Sequence, residues 1–409
     1  MNIRAVTGFV DPGWPIDPRR IETLAQVMQA VRSALEEAGY PVQSLRMATP
    51  PAVEFDRPVP ADRRPELARQ LEAECFVHGL DYACIGPVLA EEPKAFAVVP
   101  DMLAETEIVF TSGMIADLEA GLSLTAARAC GQAVTSIAAI HADGFANLRF
   151  AALANVPPGA PFFPAAYHDG GGAAIGLATE AAELAVDALH DVNSLSTARR
   201  RLIGMIEAHA AALSRLVDPI AIQQQVRFLG MDFSFAPHPD PLRSIGGALE
   251  TLGVPAAGLS GSLTAAAFLA DTLDRAHFRR TGFNGLFFPV LEDSVLARRA
   301  AEGSLTLRDL LLYSAVCGAG LDTLALPGDS PAEALAAILA DLGALALRLN
   351  KPLTARLMPL PGKSAGDPVH FDFPYFADSR VLSFPALPLE RLLAEAGLLE
   401  IAPRVGEGG

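Results

Sequence analysis

Basic charge is scarce in this chain: 31 Lys and Arg stand against 47 Asp and Glu, for a formal net charge of −16 and a pI of about 4.9. A phosphate backbone is recognised through a basic stripe that displaces counterions, so this balance excludes nucleic acid as a partner. The one dense basic run, Arg199 to Arg201, reads as a solvated helix face. Cysteine is also sparse. Cys75, Cys84, Cys130 and Cys317 lie far apart with no CxxC pair, which excludes a disulfide framework or zinc knuckle and fits a reducing cytoplasm. No uncharged apolar run reaches membrane-spanning length, and the opening MNIRAVTGFVD lacks a basic segment followed by an apolar core, so neither insertion nor secretion is expected. Linkers are missing too: the Pro-rich stretches Pro50 to Pro60 and Pro157 to Pro164 are loop-sized. One domain over residues 1–409 is expected, with a flexible tail from about residue 404.

What the chain has is apolar bulk, 51% of its 409 residues. Apolar β-branched runs alternate with longer helical patterns, the mark of parallel strands joined by helical crossovers. Strands are predicted at Ile3 to Phe9, Val42 to Met47, Tyr82 to Ile85, Glu107 to Thr111, Leu148 to Leu153, Ala173 to Leu177, Phe228 to Phe235, Gly285 to Pro289, Thr323 to Leu326 and Thr354 to Leu357. Between them, Pro18 to Ala38 sets Ile21, Leu24, Ala25, Met28, Val31 and Leu35 on one helical stripe. The fold class is α/β, a single barrel of roughly ten strands, in which functional groups gather at the strands' C-terminal ends. The alanine-rich helix Leu122 to Ile140 is expected to pack on a second copy, giving a homodimer or higher homo-oligomer.

The segment Asn147 to Gly172 combines an apolar run, a proline-rich exit and the polar cluster Tyr167, His168, Asp169, Gly170, Gly171 and Gly172. An imidazole beside a glycine run suits acid/base work or metal ligation, with Asp169 orienting the ring and the glycine amides receiving an anion or cofactor. Loop anchoring is the alternative for His168. Asp232 interrupts an apolar strand, where a carboxylate must find partners or pay a desolvation penalty, and it joins His168 as a catalytic candidate. Cys317 ends a helix before glycines that would admit a ligand to the thiol, although core filling explains it equally well. Glu292, Asp293 and Asp322 are candidate ligands for a divalent metal, while Asp240 and Asp293 are also placed to cap helices. Arg149 is positioned to pair with one of these acids or to hold a substrate carboxylate.

The blocks PFFPAAYHDGGG, MDFSFAPHPDPLRSIGGALETLG, GFNGLFFPVLEDSVLARRAAEGSL and SAVCGAGLDTLALPGDSPAEALAAILAD resemble an uncharacterised family of bacterial and archaeal proteins, domain of unknown function 711, related in fold to pyruvate formate-lyase. The resemblance implies a ten-stranded barrel like that of pyruvate formate-lyases and class III ribonucleotide reductases, and it transfers fold without function. Glycyl-radical chemistry is not expected: Arg404, Val405 and Gly406 imitate the radical motif but lack its aromatic residue. The expected function is an enzyme acting on a small polar metabolite by acid/base or metal-assisted chemistry; the alternative is a metabolite- or metal-binding regulator.

Overall fold

A computed structural model describes residues 1–385, 387–389, 391–393 and 397–404 of the protein. The fold is mixed α/β, built on a large central sheet with helices packed against it. Its strands are β1 (Asn2–Phe9), β2 (Leu45–Ala48), β3 (Tyr82–Cys84), β4 (Val109–Asp117), β5 (Gly121–Ser123), β6 (Phe150–Ala154), β7 (Ala174–Glu180), β8 (Arg227–Asp232), β9 (Gly320–Pro327) and β10 (Leu353–Leu360). They run in the order β8, β7, β1, β2, β3, β4, β6, β10, β9, with β5 branching from β4. The residues 405–409, which carry the glycines compared with the radical motif, lie outside the described residues.

The sheet departs from the parallel arrangement expected of it. β1, β2, β3, β4 and β6 are mutually parallel, but β7 runs antiparallel to β1 and β10 antiparallel to β6. The cause lies in residues 155–173, which link β6 to β7 without a crossover helix, so the chain re-enters the sheet from the end at which it left. Two parallel sets therefore face in opposite directions, and the C-terminal ends of one meet the N-terminal ends of the other. Gly285 to Pro289, predicted as a strand, makes only single bridges, Phe235 to Leu286 and Pro289 to Asp322. Those bridges reach both outer strands' neighbourhoods.

Helices pack where their stripes dictate. Helix Pro18–Glu37 starts at Asp17, whose side chain accepts from the Arg19 amide at 3.1 Å, and buries all six residues of the predicted stripe. Gly8 of β1 lies so close beneath it that a Cβ would sit 2.5 Å from Met28 Sδ. Helix Leu124–Ala138 packs on helix Ala332–Leu349, and a Cβ on Gly131 would meet the Ala332 carbonyl at 2.4 Å. No helix of the described residues is long and apolar enough to cross a membrane.

Candidate active site

The link 155–173 runs across one face of the sheet. Thr7 of β1 donates to the Pro161 carbonyl at 2.8 Å, the Cys84 thiol of β3 points at the Pro164 carbonyl at 3.5 Å, and the His168 amide donates to Thr49 beyond β2 at 3.0 Å. Above its tip, Phe162 and Phe163, lies a cavity of about 1010 Å³. β1 contributes Arg4, β2 Arg46, β3 Tyr82, β4 Phe110, β9 Asp322 and β10 Arg356, with Glu292 beyond the bridged segment. These positions lie where β1 to β4 begin.

A ladder of opposite charges forms the polar wall. Arg356 donates through Nε to Asp322 Oδ1 at 2.6 Å and through Nη2 to Glu292 Oε1 at 2.8 Å. Arg4 pairs with the other Glu292 oxygen, and with Glu180 at 3.4 Å. Glu292 is held below the usual carboxylate range: burial opposes ionisation, and the Arg4 and Arg356 guanidiniums overcome it. Asp322 is pushed the other way, because burial outweighs its single arginine and Glu292 adds like charge. Its Oδ2 takes no bond from any described residue.

Arg46 differs from its neighbours. Its Nε donates to Ser44 Oγ at 2.8 Å, and its guanidinium lies 5.6 Å from the Tyr82 ring centre and 5.4 Å from that of Phe163. No described carboxylate comes within ion-pair distance. Burial and the nearby Arg4 charge lower its pKa to about 10, so it remains a cation at neutral pH.

The candidates read from sequence are dispersed. His168, 1% exposed, sits at the other end of the sheet, where β2 ends and β7 and β8 begin. Its Nδ1 accepts from the Gly170 amide at 3.2 Å and its Nε2 lies 3.3 Å from the Gly172 carbonyl, so the ring staples its own loop. Burial lowers its pKa. Asp169 forms a two-pronged pair with Arg227, 2.8 and 3.0 Å, and is depressed to about 2 mainly by those bonds. The Gly171 amide is taken by Asp169 at 2.9 Å, leaving no open anion nest of Gly170, Gly171 and Gly172.

Asp232 is fully buried in the sheet wall. It accepts from Ser234 Oγ at 2.5 Å and from the amides of Ser234, Phe283 and Asn284 at 2.9, 2.7 and 3.0 Å. Burial still outweighs these donors, raising its pKa to about 6. Gly282, at φ +78°, passes so close that a Cβ would stand 2.2 Å from its Oδ2. Cys317 is buried, and the glycine after it packs against Gly285 backbone rather than opening a path to the thiol. Arg149 reaches the cavity wall, but its guanidinium holds the carbonyls of Leu103 and Thr106, both at 2.7 Å, at the end of helix Val99–Ala104.

The metal set Glu292, Asp293 and Asp322 does not fit an ion. Asp293 caps helix Ser294–Glu302 and accepts from Ser244 Oγ and the Ile245 amide at 2.6 and 2.7 Å, so its oxygens face helix ends. Glu292 and Asp322 are neutralised by arginine. Among the described residues no group of three or more His, Cys, Asp or Glu converges as a metal site. Asp240 is a cap, accepting from the Leu242 amide at 2.9 Å. Sequence reading passed over Arg4, Arg46 and Arg356; the signal available was an arginine inside each of three apolar strands, the same anomaly that drew attention to Asp232.

The fold and site define a mixed α/β protein with an arginine-lined cavity. The chain belongs to the DUF711 family, described as an uncharacterised ACR, whose model matches residues 1–376. It is similar to a UPF0210 protein of Pyrobaculum islandicum, 31% identical over 398 residues that cover 90% of this chain and 87% of that one. A UPF0210 protein of Methanopyrus kandleri is 30% identical over 402 residues, covering 90% and 88%. One from Neisseria meningitidis serogroup A is 28% identical over 371 residues, covering 86% and 81%.

Proposed function

We propose that this protein is an enzyme that binds a small anionic metabolite in the cavity and acts on it by proton transfer. The observation that carries the reading is Arg46: a half-buried cation facing the cavity, with one bond to Ser44 and no carboxylate partner. A partly desolvated charge without a counter-ion is unfavourable, and a bound anion would supply the missing partner. Asp322 is the proton-transferring group of this reading, since its free Oδ2 belongs to a carboxylate favoured toward the neutral form beside a firmly ionised Glu292. The three bridges of the 280–289 segment, Met231 to Arg280, Phe235 to Leu286 and Pro289 to Asp322, and the lining drawn from strands on both sides of the sheet support a closed barrel of the pyruvate formate-lyase type. In that reading the link 155–173 is the segment inside it, and its tip carries phenylalanines and prolines in place of a radical-bearing cysteine. The grip of Arg356 on Asp322 favours a second reading, a binding protein in which no proton moves.

Isothermal titration of the full chain with acetate, benzoate and inorganic phosphate tests the anion site. At least one should bind, and Arg46→Gln should weaken it tenfold or more. Equal binding by parent and variant, or no binding by either, would refute the reading.

A further inference from the structure

We infer that the ligand is a ring-bearing monoanion, an aryl carboxylate in chemical class; this rests on the anion-binding reading above and specifies it. Charge sets the anion's valence. Arg4 and Arg356 are committed to Glu180, Glu292 and Asp322, which leaves Arg46 as the guanidinium of the ladder without an ion pair. One free positive charge beside a fixed Glu292 suits one negative charge; a phosphate dianion would need a second cation there.

The aromatic wall sets the rest of the molecule. Tyr82 and Phe110 meet edge to face, 5.5 Å between centres at 84°, and Phe110 meets Phe163 at 5.4 Å and 61°. Arg46 lies against the two outer rings of this row, so an anion on its guanidinium would bring its attached group along the ring edges. Phe162 and Phe287, 4.7 Å apart at 54°, line the same cavity. Edge-to-face rows offer ring hydrogens and faces that a flat π system fills better than an aliphatic chain. A cavity of about 1010 Å³ is also far larger than a two- or three-carbon acid requires.

The test is competitive titration of the full chain with 2-naphthoate, acetate, inorganic phosphate and the uncharged 2-naphthamide. 2-Naphthoate is expected to bind at least about tenfold more tightly than acetate or phosphate, from ring burial, and more tightly than 2-naphthamide. Arg46→Gln should remove the preference for naphthoate over naphthamide, and Phe110→Leu should weaken naphthoate while leaving acetate unchanged. Far-ultraviolet dichroism of both variants, and Arg46→Lys as a charge-retaining variant, separate these effects from misfolding. If acetate or phosphate binds as well as naphthoate and still depends on Arg46, the ring inference falls and the anion site stands. If no probe binds in an Arg46-dependent way, the anion site falls with it.

Discussion

Arg356 and Asp322 are joined at 2.6 Å across neighbouring strands, and both side chains are at least nine-tenths buried. Such a pair has given up its hydration, so removing one partner strands the other's charge, a loss worth about 3–5 kcal/mol. Arg356→Met should lower the unfolding free energy by about that amount, because it deprives Asp322 of its ion-pair partner and leaves Glu292 with Arg4 alone. Urea denaturation at pH 7 measures it. A loss below about 1 kcal/mol would mean that the ladder is solvated like a surface pair.

His168 should act on stability and not on the cavity. His168→Ala removes two of the contacts that close the Gly170 to Gly172 turn and orphans the Gly170 amide, while the Gly172 carbonyl keeps its bond from Arg227 Nε at 3.1 Å, which predicts a loss of about 1 kcal/mol. Burial depresses the folded pKa of this imidazole, so its contribution is present above the ordinary histidine value and is lost as pH falls below it. Melting curves from pH 7.5 to 5 should therefore show the parent losing more stability than His168→Ala. Ligand affinity at the cavity should not change.

Asp232 carries the opposite pH sign. Its folded pKa of about 6 exceeds the unfolded value of 3.8, so its favourable contribution is present below 3.8 and is lost as pH rises toward 6. The shift corresponds to about 3 kcal/mol. Asp232→Asn should abolish this pH dependence, yet destabilise the protein by about 1–3 kcal/mol near neutrality, because an amide NH₂ must then face at least one of the donors from Ser234, Phe283 and Asn284. Denaturant melts of parent and variant between pH 4 and 7 measure both effects, and curves that stay parallel across that range would place the carboxylate's pKa elsewhere.

Periodicity revealed the elements because it depends on local geometry. The stripe Ile21, Leu24, Ala25, Met28, Val31 and Leu35 is buried as read, and most strands lie within a few residues of their predicted positions. Strand direction is not local. Nothing in FAALANVPPG announces that β7 will run antiparallel to β1; that follows from the missing crossover helix in residues 155–173. The reversal also separated the candidates: His168 follows a strand of one set, Glu292 follows the bridged segment of the other, and their C-terminal ends point to opposite ends of the sheet. Asp232 was correctly marked as a carboxylate needing partners, but the sequence could not say that Ser234, Phe283 and Asn284 would supply them all. Arg149 presents the same ambiguity, resolved by carbonyls at the end of a helix that sequence reading omitted.

Asp322 distinguishes an enzyme from a binding protein. Phenylpyruvate is a ring-bearing monoanion with an acidic methylene, so a base in the cavity can take one of its protons onto Oδ2 and return a deuteron from D₂O. Proton magnetic resonance should show this exchange accelerated by the parent protein, with the rate rising as Asp322 ionises, at a pH above the ordinary carboxylate range. Asp322→Asn keeps an oxygen for Arg356 Nε but has no basic site, and should slow exchange by about 10²-fold or more. Binding should change much less, because the anion rests on Arg46. Exchange no faster than in protein-free buffer, with phenylpyruvate demonstrably bound, would remove Asp322 as the base and leave the cavity a binding site.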